Sequence, residues 1–142
     1  MIASPLSRAR QTAEVIARRL GIDEVLEDSR FAERDYGKAS GLTAREREQR
    51  FPDRNYEAME DWEHLRSRVY AGVLHHAKTQ QGGDIVIVSH GAAINAVLAT
   101  LSRGAIGSGK TRLRTACMNM LRYENDTLEI EYYNRSAGEA DA

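Results

Sequence analysis

Apolar side chains recur three or four residues apart in several stretches of the chain, which is the spacing that predicts amphipathic helices. In the first stretch, Ser4 is the expected N-cap, Pro5 the first helical residue and Gly21 the residue that ends the helix. The chain is therefore expected to enter a helix within its first few residues. The buried stripe of this helix would consist of Leu6, Ala9, Ala13, Ile16 and Leu20.

Three more helices are predicted further along the chain. Thr43 and Glu46 form a capping box, which opens a short charged helix that ends before Pro52. The longest helix should run from about Glu57 to Gln80, with Trp62 in its buried stripe. A last helix is marked by Ile94, Val97, Leu98 and Leu101.

Extended segments separate these helices. Ile85–Val88 is an unbroken apolar run, which is typical of a parallel strand covered on both faces. Residues 25–27 are a shorter candidate strand. Residues 115–123 and 127–133 alternate between polar and apolar side chains, and Asn125-Asp126 between them predicts a hairpin turn. Helices and strands in this order predict an α/β fold.

The composition is that of one ordinary globular domain covering residues 1–142. The chain has a mass of 15.9 kDa, with 42% hydrophobic and 29% charged residues, so a core can form without disulfides or a structural metal. The single Cys117 agrees, because one cysteine permits no internal disulfide. Residues 134–142, rich in Ala, Gly and acidic side chains, are expected to be a disordered tail.

Charge and hydropathy argue against two classes of partner. A formal net charge of −1 gives no bulk attraction to nucleic acid or to anionic membranes, and the longest apolar run is too short to cross a bilayer. The first twenty residues lack the apolar core of a signal peptide, and Glu14 disfavours a transit peptide, so a cytoplasmic location is expected. The oligomeric state is open, a homo-oligomer being one alternative.

Three residues together point to phosphoryl transfer. Arg8, at the head of the first helix, has a planar guanidinium that can grip two phosphate oxygens, and the free N–H groups of a helix start add to an anion site. Glu33, in a glycine-containing loop, can donate a proton to a leaving oxygen. His90 follows the apolar strand and precedes a helix, where ligands bind in open α/β sheets, and it can stabilise a transferring phosphoryl group. Gly91 is assigned with Arg8 to phosphate binding.

Each assignment has a purely structural alternative. Arg8 could be a solvated helix arginine like Arg10. Glu33 could be a loop carboxylate paired with a neighbouring arginine, and Asp35 is a rival acid. His90 could be a buried histidine that is hydrogen-bonded to the backbone. The functional interpretation is favoured because the residues occur together.

The segments that carry these residues resemble the histidine phosphatase superfamily, also called the phosphoglycerate mutase-like proteins. The resemblance maps the family's motif arginine to Arg8, its proton-donating acid to Glu33 and its second catalytic histidine to His90. It implies a three-layer α/β/α sandwich with a mostly parallel sheet. Three segments carry it, in the family's order: SPLSRARQTA at 4–13, ERDYGKASGL at 33–42 and VSHGAAINAVLA at 88–99.

The resemblance also implies a two-step reaction. A first histidine attacks phosphorus, and the resulting phosphohistidine passes its phosphoryl group to water or to an acceptor. Glu33 would protonate the departing oxygen, while Arg8 and His90 would stabilise the equatorial oxygens. The implied ligand is a small phosphorylated metabolite or inorganic phosphate, and no metal or cofactor is implied. The adjacent His75 and His76 cannot share one helix face at ligand spacing, which also disfavours a metal site.

One motif of the family is missing from these residues. The family's nucleophile lies in an Arg-His-Gly motif on its first strand, and that tripeptide does not occur here. Residues 1–4 resemble the end of the family's second strand, so a first strand and helix are expected to be absent, which would leave the strand before His90 with an unpaired apolar edge. Met1 is accordingly expected to be internal to a longer product, or the gene to be truncated. The alternative is a non-catalytic phospholigand-binding pseudoenzyme or interaction module.

Phosphatase activity is expected rather than mutase activity. The Glu-Arg-x-Tyr-Gly form of residues 33–37 is reminiscent of the mutase branch of the family. The interval from Glu33 to His90 is nevertheless too short for the longer insertion that resembles the substrate cap of the mutases.

Residues 104–111 match the P-loop pattern GxxxxGK[ST]. A working P-loop needs a buried strand before it and a helix after it, whereas here a predicted helix precedes the pattern and a predicted strand follows it. The sequence therefore argues against a nucleoside triphosphatase, and Lys110 is left as a source of positive charge near the phosphate site.

Overall fold

The computed structural model describes residues 1–53, 56, 58–80 and 82–140. Two 3₁₀ turns, Ser29–Phe31 and Gly37–Ala39, lie in the loop that carries the predicted acid. Among these residues, none of the helices has the length and apolar character that a membrane span requires. The elements along the chain are β1 (Ile2–Ala3), α1 (Ser7–Leu20), β2 (Leu26–Glu27), α2 (Ala44–Arg50), α3 (Trp62–Thr79), β3 (Ile87–Val88), α4 (Gly91–Leu101), β4 (Met118–Glu124), β5 (Thr127–Arg135) and α5 (Ala137–Ala140).

The strands form a parallel sheet and a separate hairpin. β1 lies between β2 and β3 and is parallel to both, so that Ile2 is opposite Leu26 on one side and Ile87 on the other. β4 and β5 pair in antiparallel fashion, and Asn125 and Asp126 form the predicted turn, both with positive φ angles (53° and 58°) as a type I′ turn requires. The predicted α/β fold with a mostly parallel sheet is confirmed.

The edge of β3 that faces away from β1 is open within the described residues. In that part of the chain β3 pairs with β1 alone and β4 pairs with β5 alone. One hydrophobic cluster is contacted from both strands, by Ile85 and Ile87 of the β3 segment and by Leu121 of β4. The open edges of β3 and β4 therefore border one core.

The core positions the loop that carries Glu33. Phe31, from the first 3₁₀ turn, is buried together with Leu65 of α3 and Ala93 of α4. A Cβ at Gly72 of α3 would lie 3.0 Å from two carbons of the Phe31 ring, so glycine at that position lets the ring pack directly against the helix. The chain that follows Phe31 is thereby held against both α3 and the start of α4.

The start of α1 differs from the prediction. Leu6 is the N-cap and Ser7 the first helical residue, so Ser4 is not the N-cap and Pro5 is not the first helical residue. The reason is that the Ser4 N–H donates to the Val88 carbonyl, which makes Ser4 a continuation of the ladder between β1 and β3.

Two other boundaries also differ. α3 begins at Trp62, and the predicted start at Glu57 lies outside the described residues. Part of the segment expected to be a disordered tail lies in regular elements, since β5 continues to Arg135 and α5 spans Ala137–Ala140. Near the end of β5, the Asn134 side chain accepts a hydrogen bond from the Arg114 N–H at 2.8 Å. The rest of that predicted tail, residues 141–142, is outside the described part.

The segment with the P-loop pattern is a loop between α4 and β4. The chain that follows Thr111 reaches β4 without forming a helix, so the arrangement that binds a nucleotide triphosphate is not present. The loop instead closes on itself, because the Gly107 N–H donates to Thr111 Oγ1 at 3.0 Å and the Thr111 N–H donates to the Gly107 carbonyl at 2.8 Å.

Candidate active site

His90 lies where β3 ends and α4 begins. It is the N-cap of α4, its carbonyl accepts the Ile94 N–H at 2.9 Å, and the residue is only 7% exposed. Burial lowers the pKa of His90, and the positive charges of Arg8 and Arg68 lower it further, against the opposing charge of Glu33. Burial and the two arginines therefore favour the neutral form of the imidazole at this junction.

Glu33 reaches the N-terminus of α4 from its loop. Its Oε2 accepts the Ala92 N–H at 3.2 Å and its Oε1 accepts the Ala93 N–H at 3.1 Å. These are first-turn N–H groups, which no backbone carbonyl of the same helix can satisfy, and the positive end of the helix dipole favours a carboxylate there. The fold thus brings Glu33 and His90 to one helix terminus.

Arg8 lies in the first turn of α1, directly after β1. Since β1 and β3 are parallel neighbours, the helix starts that follow them lie at the same edge of the sheet, and the Arg8 charge acts on His90. Arg8 is exposed, and within the described residues its guanidinium makes no ion pair. Arg10 differs, because it pairs with Glu14 and Glu27. Of the two arginines, Arg8 is the one available to an anion.

Gly91 is the first residue of α4 and is exposed. A Cβ built on it would meet no heavy atom within 4 Å, so the space in front of the helix terminus is open. That open space leaves room for an anion beside this terminus.

Ser4 belongs to the same cluster, although the sequence analysis assigned it only a capping role. Its Oγ lies 2.8 Å from His90 Nε2 and accepts the Leu6 N–H at 3.2 Å, and the residue is fully buried. The sequence did contain a signal, since Ser4 and His90 each end a predicted parallel strand and the carboxyl ends of neighbouring parallel strands lie together.

Arg68 of α3 holds the Glu33 loop in place. Its guanidinium donates to the carbonyl oxygens of Arg30, Ala32 and Glu33, at 2.8, 2.9 and 3.2 Å. Glu60 accepts from the same guanidinium through both carboxylate oxygens, at 2.7 and 2.8 Å. Neither residue was predicted, because a charged side chain on a helix is usually solvated and the loop partners lie 35 to 38 positions away in the sequence.

The ion pair between Arg68 and Glu60 predicts a loss of stability in acid. The hydrogen bonds from Arg68, aided by His64, lower the pKa of Glu60 from 4.5 to about 2, and the Glu60 side chain is only 8% exposed. A carboxyl group with a lowered pKa contributes stability above its unfolded pKa, and this contribution is lost as the pH falls toward the folded pKa. We expect the free energy of unfolding to fall by about 3 kcal/mol between pH 4.5 and pH 2 from this group.

Urea unfolding across that pH range measures the effect. Glu60→Gln should flatten the pH dependence, whereas Glu63→Gln, whose parent side chain is 64% exposed, should not change it. Asp28, whose pKa is held well below its usual range by Arg30, supplies a background slope of the same sign in every variant. Equal slopes for Glu60→Gln and the parent protein would refute the assignment.

The rival acid Asp35 serves its own loop. Its Oδ1 accepts the Gly37 N–H at 2.8 Å and the Ser40 hydroxyl at 3.4 Å. These bonds shape the second 3₁₀ turn, which leaves Glu33 as the acid at the N-terminus of α4.

The three other histidines are on α3. His64 Nδ1 is 2.5 Å from Glu60, His76 Nε2 is 2.7 Å from Asp28, and the ring of His75 lies 5.0 Å from that of His76. In the described part of the chain, no three His, Cys, Asp or Glu side chains are grouped so that they could hold a metal ion.

Comparisons with known proteins identify the family of the chain. The sequence profile of the histidine phosphatase superfamily (branch 1) matches residues 1–136. The chain is 37% identical over 134 residues to the uncharacterized phosphatase PhoE of Bacillus subtilis, covering 94% of this chain and 69% of that protein. It is 30% identical over 136 residues to the probable phosphoglycerate mutase GpmB of Salmonella paratyphi B, covering 87% of this chain and 63% of that protein. The chain thus spans about two thirds of these relatives.

The fold is shared with solved structures as well. A mycobacterial glucosyl-3-phosphoglycerate phosphatase in complex with inorganic phosphate superimposes with a TM-score of 0.77 at 22% identity, over 96% of this chain and 77% of that one. This likeness shows that the arrangement of helices and strands is the same.

Proposed function

This chain belongs to the histidine phosphatase superfamily (branch 1), and we propose that its site handles the phosphoryl group of small phosphorylated metabolites. The observation that carries the proposal is the convergence of Arg8, Glu33 and His90 at one edge of the sheet, around the start of α4. An unpaired arginine, two helix N-termini and an open space in front of Gly91 provide what a phosphate dianion requires.

Each residue has a role that its position supports. Arg8 would bind the equatorial phosphoryl oxygens, and His90 would donate a hydrogen bond to them. Glu33 would protonate the leaving oxygen. Glu33 Oε1 accepts the N–H groups of Ala93 and Arg34, whereas Oε2 accepts the N–H of Ala92 alone among the described residues, so Oε2 keeps a lone pair that can carry the proton.

The nucleophile would come from an Arg-His-Gly motif, which these residues do not contain. In a longer form of the protein that carries the motif, we propose phosphatase activity through a phosphohistidine, because the interval between Glu33 and His90 is short. The two activities are separated by priming the longer protein with a bisphosphate and then adding a phosphoglycerate. Isomerisation of the phosphoglycerate indicates a mutase, and release of inorganic phosphate indicates a phosphatase.

A non-catalytic phospholigand-binding protein is the second candidate. Its basis is that no Arg-His-Gly motif occurs in these residues. Phosphate binding without turnover of a phosphate monoester would support this candidate over the enzyme.

Phosphate or vanadate binding tests the site itself. At a concentration about 100-fold above Kd, a ligand that binds only the folded state adds about 2.7 kcal/mol, which should raise Tm by roughly 5–10 °C. We expect Arg8→Ala to abolish this rise, because the unpaired guanidinium is the main anion ligand. Differential scanning fluorimetry with and without ligand measures it.

Arg10→Ala is the matched control, because it removes an arginine of the same helix that is already paired with two glutamates. It should leave the ligand-induced rise intact. Equal behaviour of the two variants would contradict the assignment of Arg8, and no rise in the parent protein would contradict phosphate binding altogether.

A further inference from the structure

The contact between Ser4 and His90 determines how protons are arranged at the site. Ser4 is fully buried, and Leu6 N and His90 Nε2 are the groups within hydrogen-bond distance of its Oγ among the described residues. The Leu6 N–H can only donate, so it occupies a lone pair of Oγ. The Ser4 hydroxyl hydrogen therefore has one acceptor, and that acceptor is His90 Nε2.

The opposite arrangement leaves a group unsatisfied. If Nε2 carried the proton and donated to Ser4 Oγ, the hydroxyl hydrogen would have no acceptor in a fully buried place. The cost of burying an unsatisfied polar group corresponds to a preference of roughly ten- to a hundredfold for the arrangement in which Ser4 donates.

We propose that Ser4 is a positioning residue that fixes His90 as the neutral tautomer with its proton on Nδ1 and its lone pair on Nε2. Nδ1–H is then the single donor of the ring. Nδ1–H is then the group that His90 can offer to a phosphoryl oxygen. This consequence for phosphoryl transfer rests on the proposed function.

The same contact opposes protonation of the ring. A second proton would have to enter at Nε2, where the Ser4 hydroxyl already donates, so the hydroxyl would have to turn away without finding another acceptor. The charged groups that act on His90 come from three elements: Glu33 on its loop favours the imidazolium, while Arg8 on α1 and Arg68 on α3 oppose it. Ser4 thus acts in the same direction as burial and the two arginines.

Nitrogen-15 NMR of the histidine-labelled protein near pH 7 tests the tautomer directly, with the His90 signals identified by their loss in His90→Gln. We expect a protonated Nδ1 and an unprotonated Nε2, with at least a tenfold excess over the other tautomer. A protonated Nε2 as the major form would overturn the proposal.

Three variants isolate the hydroxyl. Ser4→Ala should raise the Nε2–H population at least severalfold, and Ser4→Thr, which keeps the hydroxyl, should restore the parent pattern. Ser7→Ala, an exposed serine-to-alanine change nearby, should leave it unchanged. An unaltered tautomer ratio in folded Ser4→Ala would overturn the role of Ser4. The measurement on the parent protein decides the tautomer even if Ser4→Thr does not fold.

Phosphate titration of the same samples separates this inference from the proposed function. If the Nδ1–H tautomer is found and phosphate does not bind, the proposed function fails and the positioning role of Ser4 stands. If phosphate binds and the tautomer is Nε2–H, the proposed function stands and the inference about Ser4 fails.

Discussion

Gly107→Ala is expected to destabilise the protein by about 3 kcal/mol or more, because α4 leaves no room for a side chain at this position. Gly107 is buried at a φ of +93°, and a Cβ on it would lie 2.5 Å from the Ala99 nitrogen and 2.5 Å from the Asn95 carbonyl oxygen. Both are backbone atoms of α4, so relief requires the loop and the helix to separate. Urea denaturation of the variant and the parent measures the loss.

Gly109→Ala is the matched control. Gly109 also has a positive φ, +79°, but a Cβ there would meet nothing within 4 Å. Gly109→Ala should lose only the stability that a non-glycine residue costs at a positive φ, about 1–2 kcal/mol. The difference between the two variants in free energy of unfolding is then the energy of the close approach at Gly107. Similar losses in both variants would show that the contact with α4 is not a constraint.

The loop around Gly107 shows that a sequence can match a motif without forming the structure that the motif usually indicates. The glycines that match the P-loop pattern, Gly104 and Gly109, suggest a backbone that approaches a phosphate. The close approach is made instead by Gly107, at an unspecified position of the pattern, and it is to the backbone of α4. The loop is further anchored by Trp62, whose Nε1–H donates to Ser108 Oγ at 3.0 Å. A pairing across 46 positions is set by the tertiary fold, so local patterns could not reveal it.

Sequence signals were reliable where the interacting residues are close together in the sequence. The capping box of Thr43 and Glu46 and the turn at Asn125-Asp126 involve residues within four positions of one another, and both are confirmed. The prediction of Ser4 as an N-cap failed because the Ser4 N–H donates to the carbonyl of Val88, 84 positions away in the sequence. This hydrogen bond of the sheet competes with the local cap. Side-chain preference was outweighed there by the sheet ladder.

The candidate site was only partly predictable for the same reason. Chemistry-bearing residues at the ends of predicted elements could be named, because parallel strands place their carboxyl ends together. That rule pointed to His90, whereas Arg8 and Glu33 were named from their motifs. Residues that hold them, such as Arg68, carry no local pattern, since the guanidinium contacts loop carbonyls that become neighbours only after folding.

Arg68→Met should have the largest effect on the site, because it removes the donor that joins α3 to the Glu33 loop. The Arg68 side chain is 18% exposed, and its loss leaves the nearly buried Glu60 carboxylate and the carbonyls of Ala32 and Glu33 without their partner. Removing one member of such a pair costs about 3–5 kcal/mol. We expect a loss of this size in urea denaturation.

The site itself provides a second measurement. The N–H groups of Ala92 and Ala93 donate to Glu33, so their hydrogen exchange reports whether Glu33 is in place. In Arg68→Met these two amides should exchange faster even under conditions where the rest of α4 remains protected. Arg68→Lys, which keeps the charge and loses the planar fork, should fall between the variant and the parent.

Two comparisons make the Arg68 result decisive. Arg66→Met removes an arginine of the same helix whose partner Glu63 is 64% exposed, and it should cost less than about 1 kcal/mol. Glu60→Gln combined with Arg68→Met should recover part of the loss, because no buried charge then remains unpaired. If Arg68→Met is no more harmful than Arg66→Met, and the Ala92 and Ala93 amides stay protected, Glu33 is held by its own hydrogen bonds to α4 and Arg68 is not its support.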